Sequence, residues 1–237
     1  MNRQELIAIR LNLIERNFHP EARPTIVAVS KRQPFSDIEC AYMAGIRDFG
    51  ENRVEELVEK AQLAYERGMD DIRWHYIGNL QTKKINKLLR APRLVAIHSV
   101  DSFELLQNIG EREEHFVGEK CDILLQVNTS NEAEKSGFIN WDNLAAAVNL
   151  LLKREEGPFH LHGLMTMSKL RTNNFEEDAF KCFEQLDKIR KSLIQDFDLE
   201  DLKLSMGMSN DYLIALQVGT DYLRLGGALF APDANND

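Results

Sequence analysis

Short runs rich in Val, Ile and Leu alternate eight times with longer segments of helical period, and this alternation constrains the fold more than any other feature of the chain. The runs are Thr25 to Ser30, Arg47 to Gly50, Ile72 to Gly78, Leu94 to Ser99, Asp122 to Asn128, Phe159 to Thr166, Leu202 to Met206 and Tyr222 to Gly226. A β-rich run followed by a helical segment is the mark of a βα unit, whose successive strands lie parallel. The second run is the weakest, because Asp-Phe-Gly is short and poor in β-formers.

The segments between the runs carry apolar residues at helical spacing. Val54, Leu57, Val58 and Ala61 fall at i, i+3, i+4 and i+7, as do Leu144, Ala147, Val148 and Leu151; Phe175, Ala179, Cys182, Phe183 and Leu186 extend the pattern over a longer helix. Such stripes read as core packing. An extra N-terminal helix, with Leu6, Ile9 and Leu13 on one face, precedes the first run and is expected to cover the gap where an outer helix is missing after Gly226. Eight strands separated by helices fit a closed (β/α)8 TIM barrel better than an open doubly wound sheet, and a barrel of this kind takes about 250 residues. The 237 residues therefore read as one barrel domain over 1–231 with a disordered tail over 232–237, small and polar in composition.

Composition narrows the function classes. With 43% hydrophobic and 28% charged residues the chain has enough apolar side chains for a substantial core, which excludes a disordered protein. The formal charge of −9 argues against a sequence-independent nucleic-acid binder, which needs cations to displace counterions from phosphates, but it permits a small phosphorylated ligand. Three widely spaced cysteines, Cys40, Cys121 and Cys182, suit neither a zinc site nor a disulfide framework and read as reduced thiols. No apolar stretch has the length of a signal peptide or a membrane span, so a cytoplasmic protein is expected; a monomer is the expected state, though no feature of the sequence fixes it.

In a barrel, residues at the C-terminal ends of the strands face the active site. Lys31 directly follows the first run. There, low dielectric and cationic neighbours can make an amine nucleophilic and suited to Schiff-base chemistry, while the same position also suits a surface lysine whose stem snorkels outward. At the other end, Leu204-Ser205-Met206-Gly207-Met208-Ser209-Asn210-Asp211 runs from the seventh strand into a helix with Ser209 as its N-cap, and Arg224-Leu225-Gly226-Gly227 closes the eighth. Backbone N–H groups at a helix start and in a glycine turn bind phosphate, and barrels often place a phosphate after strands seven and eight. The same residues also suit a capped helix and a glycine turn that serve chain geometry alone.

Val27-Ala28-Val29-Ser30-Lys31, Phe49-Gly50-Glu51-Asn52, Trp74-His75-Tyr76-Ile77-Gly78-Asn79-Leu80-Gln81, Leu204-Ser205-Met206-Gly207-Met208-Ser209 and Arg224-Leu225-Gly226 together resemble the motifs of the pyridoxal phosphate homeostasis proteins. The resemblance runs from about the first helix to Phe230. It implies a fold like the N-terminal barrel domain of alanine racemase, and pyridoxal 5′-phosphate (PLP) as the cofactor, held as a Schiff base on Lys31. It further implies that Ser209, Gly226 and Gly227 hold the phosphate and that Arg224 faces the pyridine nitrogen. Asn52 and His75, at barrel-top positions, would line the ring pocket; an Asn in a turn and a hydrogen-bonded His also occur without ligands.

Two positions depart from the family pattern. Gly227 stands where a hydroxyl residue is common, and Ala231 where a glycine is. The missing hydroxyl removes a phosphate hydrogen bond worth roughly 1.5 to 3 kcal/mol unless a backbone N–H or water substitutes.

An Arg opposite the pyridine nitrogen disfavours its protonation and weakens the ring as an electron sink. Racemases of this fold also take a second acid–base group, a Tyr, from an added β-domain that a barrel of this length cannot contain. The resemblance therefore implies a PLP carrier or regulator, in which PLP-dependent apoenzymes are the partners, rather than an enzyme. The alternatives are a single-domain PLP-dependent amino-acid racemase and a cofactor-free Lys Schiff-base aldolase. Lys135, in the loop after the fifth run, competes with Lys31 for a carbonyl ligand. His160 and His162 alternate on one strand face but near the stability end of the barrel, which argues against a metal site. Lys83, Lys84, Lys87 and Arg90 read as a solvated helix face.

Overall fold

The structure, a computed structural model, describes residues 1–130, 132, 134–154, 156–169 and 172–232. The elements run α1 (Arg3–Glu15), β1 (Thr25–Val29), α2 (Phe35–Met43), β2 (Asp48–Glu51), α3 (Val54–Glu66), β3 (Arg73–Tyr76), α4 (Ile85–Leu89), β4 (Leu94–Val100), α5 (Phe103–Gly110), β5 (Cys121–Gln126), α6 (Trp141–Leu152), β6 (Phe159–Met165), α7 (Phe175–Asp196), β7 (Lys203–Met208), α8 (Tyr212–Val218), β8 (Tyr222–Leu225) and α9 (Gly227–Phe230). All eight strands pair in parallel in sequence order, and β1 closes on β8 with Ala28 opposite Leu225, giving the expected barrel.

All eight expected strands form, and the weakest run is a true strand. Every residue of β2 is buried. Its two faces explain this, since Phe49 packs on Trp74 on the helix side while Asp48 turns into the barrel toward Arg73 and His75. The strand needs no Val or Ile because both faces are covered by its neighbours.

The large apolar cluster lies between sheet and helices, and the stripes on α3, α6 and α7 feed it; Leu57, Ala147, Val148 and Phe183 are fully buried. The expected face of α1 is wrong. Ile7 and Ile14 are buried with Leu11 packed beside them, whereas Ile9 and Leu13 are exposed. Positions 7, 11 and 14 form an equally regular i, i+4, i+7 stripe, so periodicity alone could not choose between the two. Nor is a helix missing after Gly226, although α1 does cover this region as expected. The short α9 follows at once, and α1 packs on α9 and α2. Arg10 Nη1 donates to the carbonyls of Leu229 at 3.1 Å and Ala231 at 2.5 Å, satisfying acceptors that the end of α9 leaves free. The tail expected from 232 onward lies, beyond Pro232, outside the described residues. No helix among the described residues is long and apolar enough to cross a membrane.

Candidate functional site

At the C-terminal mouth of the barrel a cavity of about 510 Å³ is lined by Lys31, Asn52, Met208, Ser209, Arg224, Gly226 and Gly227, together with Ile77, Asn79, Met167, Phe175 and Asp211 among others. Of the seven residues expected from sequence, six therefore meet there.

Lys31 follows β1 in a turn closed by a hydrogen bond from Gln33 N–H to the Ser30 carbonyl, 2.9 Å, with Arg32 in the left-handed region at φ 62°. Ser30, fully buried, anchors that turn. Its hydroxyl donates to Glu51 Oε1 at 2.9 Å, and Lys60 Nζ bridges the Ser30 carbonyl (2.9 Å) and the same carboxylate oxygen (2.5 Å). Burial pushes the Glu51 carboxyl up, and the Lys60 and Ser30 hydrogen bonds oppose it. Lys31 itself is exposed, so a rigid base carries an accessible amine.

Asn52 sits on the turn after β2, beside Gly78. The two chains touch there: a β-carbon at Gly78 would lie 2.0 Å from the Asn52 carbonyl oxygen. Glycine at this position is what lets the turns after β2 and β3 share the cavity wall.

The turn after β7 leaves the sheet through Gly207, at φ 94°, where any β-carbon would lie 2.6 Å from that of Ala215. The N-cap of α8 is Asp211, not Ser209 as expected. Asp211 is buried and folds the turn back on itself, accepting Met208 N–H at 2.5 Å and the Ser168 hydroxyl. Ser209 instead accepts Ala228 N–H at 3.0 Å, tying the β7 turn to α9. Ser209, Gly226 and Gly227 thus come together. No β-carbon narrows the cradle at Gly227, where one would meet only Ser209 Oγ, at 3.9 Å.

Arg224 is 5% exposed and presents its guanidinium to this cavity, held by Ser205 Oγ and the Thr166 carbonyl. Burial lowers its pKa to about 10, which leaves it a cation at neutral pH.

His75 is the correction. It does not line the cavity: its Nε2 lies 2.9 Å from Asp48 Oδ1, its Nδ1 2.9 Å from His98 Nε2, and the ring is buried inside the barrel. On β3 it shares the inward face with Arg73, and the strand continues to Tyr76 before the mouth begins, so His75 belongs to a deeper layer. Lys135 does not line the cavity either. Its Nζ donates to the Ser168 carbonyl at 2.7 Å and pairs with Glu132. His162 lies 2.7 Å from the Tyr222 hydroxyl and 3.4 Å from Asp122, and no group of three or more His, Cys, Asp or Glu suited to a metal gathers among the described residues.

Sequence reasoning missed Asp211, Phe175, Met167 and Asn79 as lining residues, and Ser205, with His98 hydrogen-bonded behind it, as a support of Arg224. Ser205, Asn79 and Asp211 lie in segments already singled out by their motifs. Period-2 alternation on β7, with Ser205 and Gly207 on one face and Leu204 and Met206 on the other, was the available signal for Ser205.

A chain with this closed barrel, and a lysine, a buried arginine and a glycine-lined cradle at its mouth, falls in the class of alanine racemase N-terminal-domain barrels, and the family described as "Alanine racemase, N-terminal domain" matches residues 5–233. A pyridoxal phosphate homeostasis protein of Mus musculus is 33% identical over 89% of the chain and 77% of its own length; one of Schizosaccharomyces pombe is 34% identical over 86% and 82%. The chain belongs to the pyridoxal phosphate homeostasis protein family. Among solved structures, PipY of Synechococcus elongatus PCC7942 with PLP bound superposes with a TM-score of 0.80 at 30% identity, covering 95% of this chain and all of that one. Alanine racemase of Clostridium difficile 630, in complex with cycloserine, has a TM-score of 0.75 at 16% identity over 98% of this chain and 61% of the racemase, a likeness of fold.

Proposed function

We propose that this chain binds PLP at the barrel mouth, linked covalently to Lys31, and acts in intracellular PLP homeostasis. The single observation that carries this reading is the convergence on one cavity of an accessible amine after β1, a buried cation on β8 and the Ser209–Gly226–Gly227 cradle. The family relatives and the PLP-bound PipY structure support it.

PLP supplies an aldehyde that condenses with a primary amine with loss of water. Lys31 offers that amine on an anchored turn. Ser209 and the backbone N–H groups of Gly226 and Gly227 are suited to the phosphate, and Arg224 to the ring nitrogen, to which it offers a hydrogen bond while opposing its protonation. Asn52 stands at the cavity edge. His75 acts from beneath, through the hydrogen bonds it makes. We infer a cytoplasmic monomer that supplies PLP-dependent apoenzymes and engages neither nucleic acid nor membrane; the charge of −9 supports the reading against nucleic acid.

The test is the absorbance of purified wild type, Lys31→Ala and Lys135→Ala before and after borohydride reduction, with mass mapping. A reducible pyridoxyl adduct on Lys31 in wild type and Lys135→Ala, lost in Lys31→Ala, is the expected result. Absence of the adduct from PLP-reconstituted wild type overturns the proposal in favour of a cofactor-free aldolase. Turnover of D- or L-amino acids that disappears in Lys31→Ala would place the chain among the racemases instead.

A further inference from the structure

Beneath the cavity a single file of polar side chains crosses the barrel from β8 to β2. Arg224 Nη1 donates to Ser205 Oγ at 2.6 Å, Ser205 Oγ lies 2.9 Å from His98 Nδ1, His98 Nε2 lies 2.9 Å from His75 Nδ1, and His75 Nε2 lies 2.9 Å from Asp48 Oδ1. Arg73 closes the file from the opposite end, its Nε donating to Asp48 Oδ1 at 2.7 Å.

The direction of each link follows from what its atoms can do. An arginine can only donate, so Ser205 accepts from Arg224. The one acceptor then left within reach of the Ser205 hydroxyl, among the described residues, is His98 Nδ1. Were that nitrogen protonated, Ser205 would accept twice and its own buried O–H would be left without an acceptor, so the nitrogen is bare and His98 carries its proton on Nε2. This proton faces His75 Nδ1, which must accept it, so His75 also carries its proton on Nε2 and gives it to the Asp48 carboxylate. Every link points from the Arg224 cation toward the Asp48 anion. His98 is fully buried, and burial, reinforced by the nearby His75 and Arg224, holds its pKa well below the ordinary value, which agrees with a neutral ring.

We propose that Ser205, His98 and His75 are positioning residues for Arg224, a directed hydrogen-bond file ending on Asp48 that fixes the guanidinium at the cavity wall. With Nη1 on Ser205 and Nη2 on the Thr166 carbonyl at 2.8 Å, Arg224 cannot swing away or turn its plane. The cavity thereby selects a ring whose nitrogen accepts a hydrogen bond, that is, an unprotonated pyridine. The identity of that ring rests on the PLP reading, whereas the file rests on the geometry of the chain alone.

The experiment is ¹⁵N NMR of histidine-labelled protein, first without ligand and then with PLP, on wild type, Ser205→Ala and Ser205→Thr. Both His75 and His98 are expected to show a bare Nδ1 and a protonated Nε2 in ligand-free wild type. Ser205→Ala is expected to shift the resonances of both rings, to weaken PLP binding by about tenfold or more, and to move the absorbance maximum of the bound ligand; Ser205→Thr, which keeps the hydroxyl, should restore all three. A proton on Nδ1 of either ring in ligand-free wild type, or a Ser205→Ala protein with unchanged PLP affinity and spectrum, overturns the proposal. The Lys31 adduct is scored separately on the same wild-type sample, so failure of the PLP reading is visible on its own while the tautomers of ligand-free protein still decide the file.

Discussion

Asp48 is a carboxylate inside a barrel, a position that needs partners. Burial alone would raise its pKa, but hydrogen bonds from Arg73 and His75, reinforced by the Arg73 charge, outweigh burial and hold it at about 2. A carboxyl whose folded pKa is depressed stabilises the fold above its unfolded pKa, near 3.8, and that contribution is lost as pH falls toward 2. The expected loss over this window is about 2 kcal/mol. Urea unfolding of wild type and Asp48→Asn between pH 5 and 2 should show this part of the acid slope in wild type only, with the variant the less stable protein at neutral pH. An equal slope in both proteins would mean that Asp48 is not held as described. Gly227 offers the opposite kind of test. A β-carbon there meets nothing closer than Ser209 Oγ at 3.9 Å, so Gly227→Ser should fit and supply the hydroxyl that the family resemblance implies at this position. Titration with PLP should show affinity rising by up to about tenfold. A weaker complex would show that the phosphate does not approach Gly227.

At the scale of elements, the ends of β1 and β2 are clamped on their helix side by Lys60 of α3. Removing the ammonium leaves the fully buried Glu51 without its cation, a change that costs about 3–5 kcal/mol in buried pairs. Lys60→Met is therefore expected to lower the urea midpoint strongly, and Glu51→Gln/Lys60→Met to recover much of the loss, because the orphaned charge goes with its partner. A double variant no more stable than the single one would show that the Ser30 carbonyl contact, not the charge, dominates. Strand order and helix stripes were legible in the sequence because each reports a local period. What was illegible depended on where local patterns meet. The Glu51–Lys60 pair joins two elements whose contact no periodicity announces, α1 offered two stripes of equal regularity, and His75 sat in a motif whose place in the barrel depends on how far β3 runs. Lys31, Ser209, Arg224 and the glycines were legible as candidates because they sit at strand ends, which are functional positions in a barrel, while their separate roles came from the family resemblance.

Across the whole molecule, the site lies on the seam where the barrel closes. β1 and β8, the first and last strands, pair from Thr25 opposite Tyr222 to Ala28 opposite Leu225, and Lys31 follows one while Gly226 and Gly227 follow the other. Closing a contact of this sequence separation costs chain entropy that local contacts do not, so the seam is the natural place for the barrel to open first. A ligand held at one end by Lys31 and at the other by the Ser209–Gly227 cradle would bridge that seam. PLP should then slow hydrogen exchange at the amides of Thr25–Val29 and Tyr222–Leu225 more than at those of β4 and β5, which pair with each other on the far side of the barrel. Saturating ligand at a hundred times its dissociation constant adds about 2.7 kcal/mol to global stability, so globally exchanging amides should slow by no more than about a hundredfold and seam amides should carry any excess. Lys31→Ala should lose the excess at the seam. Protection spread evenly around the barrel would show that the ligand stabilises the fold without stapling its two ends.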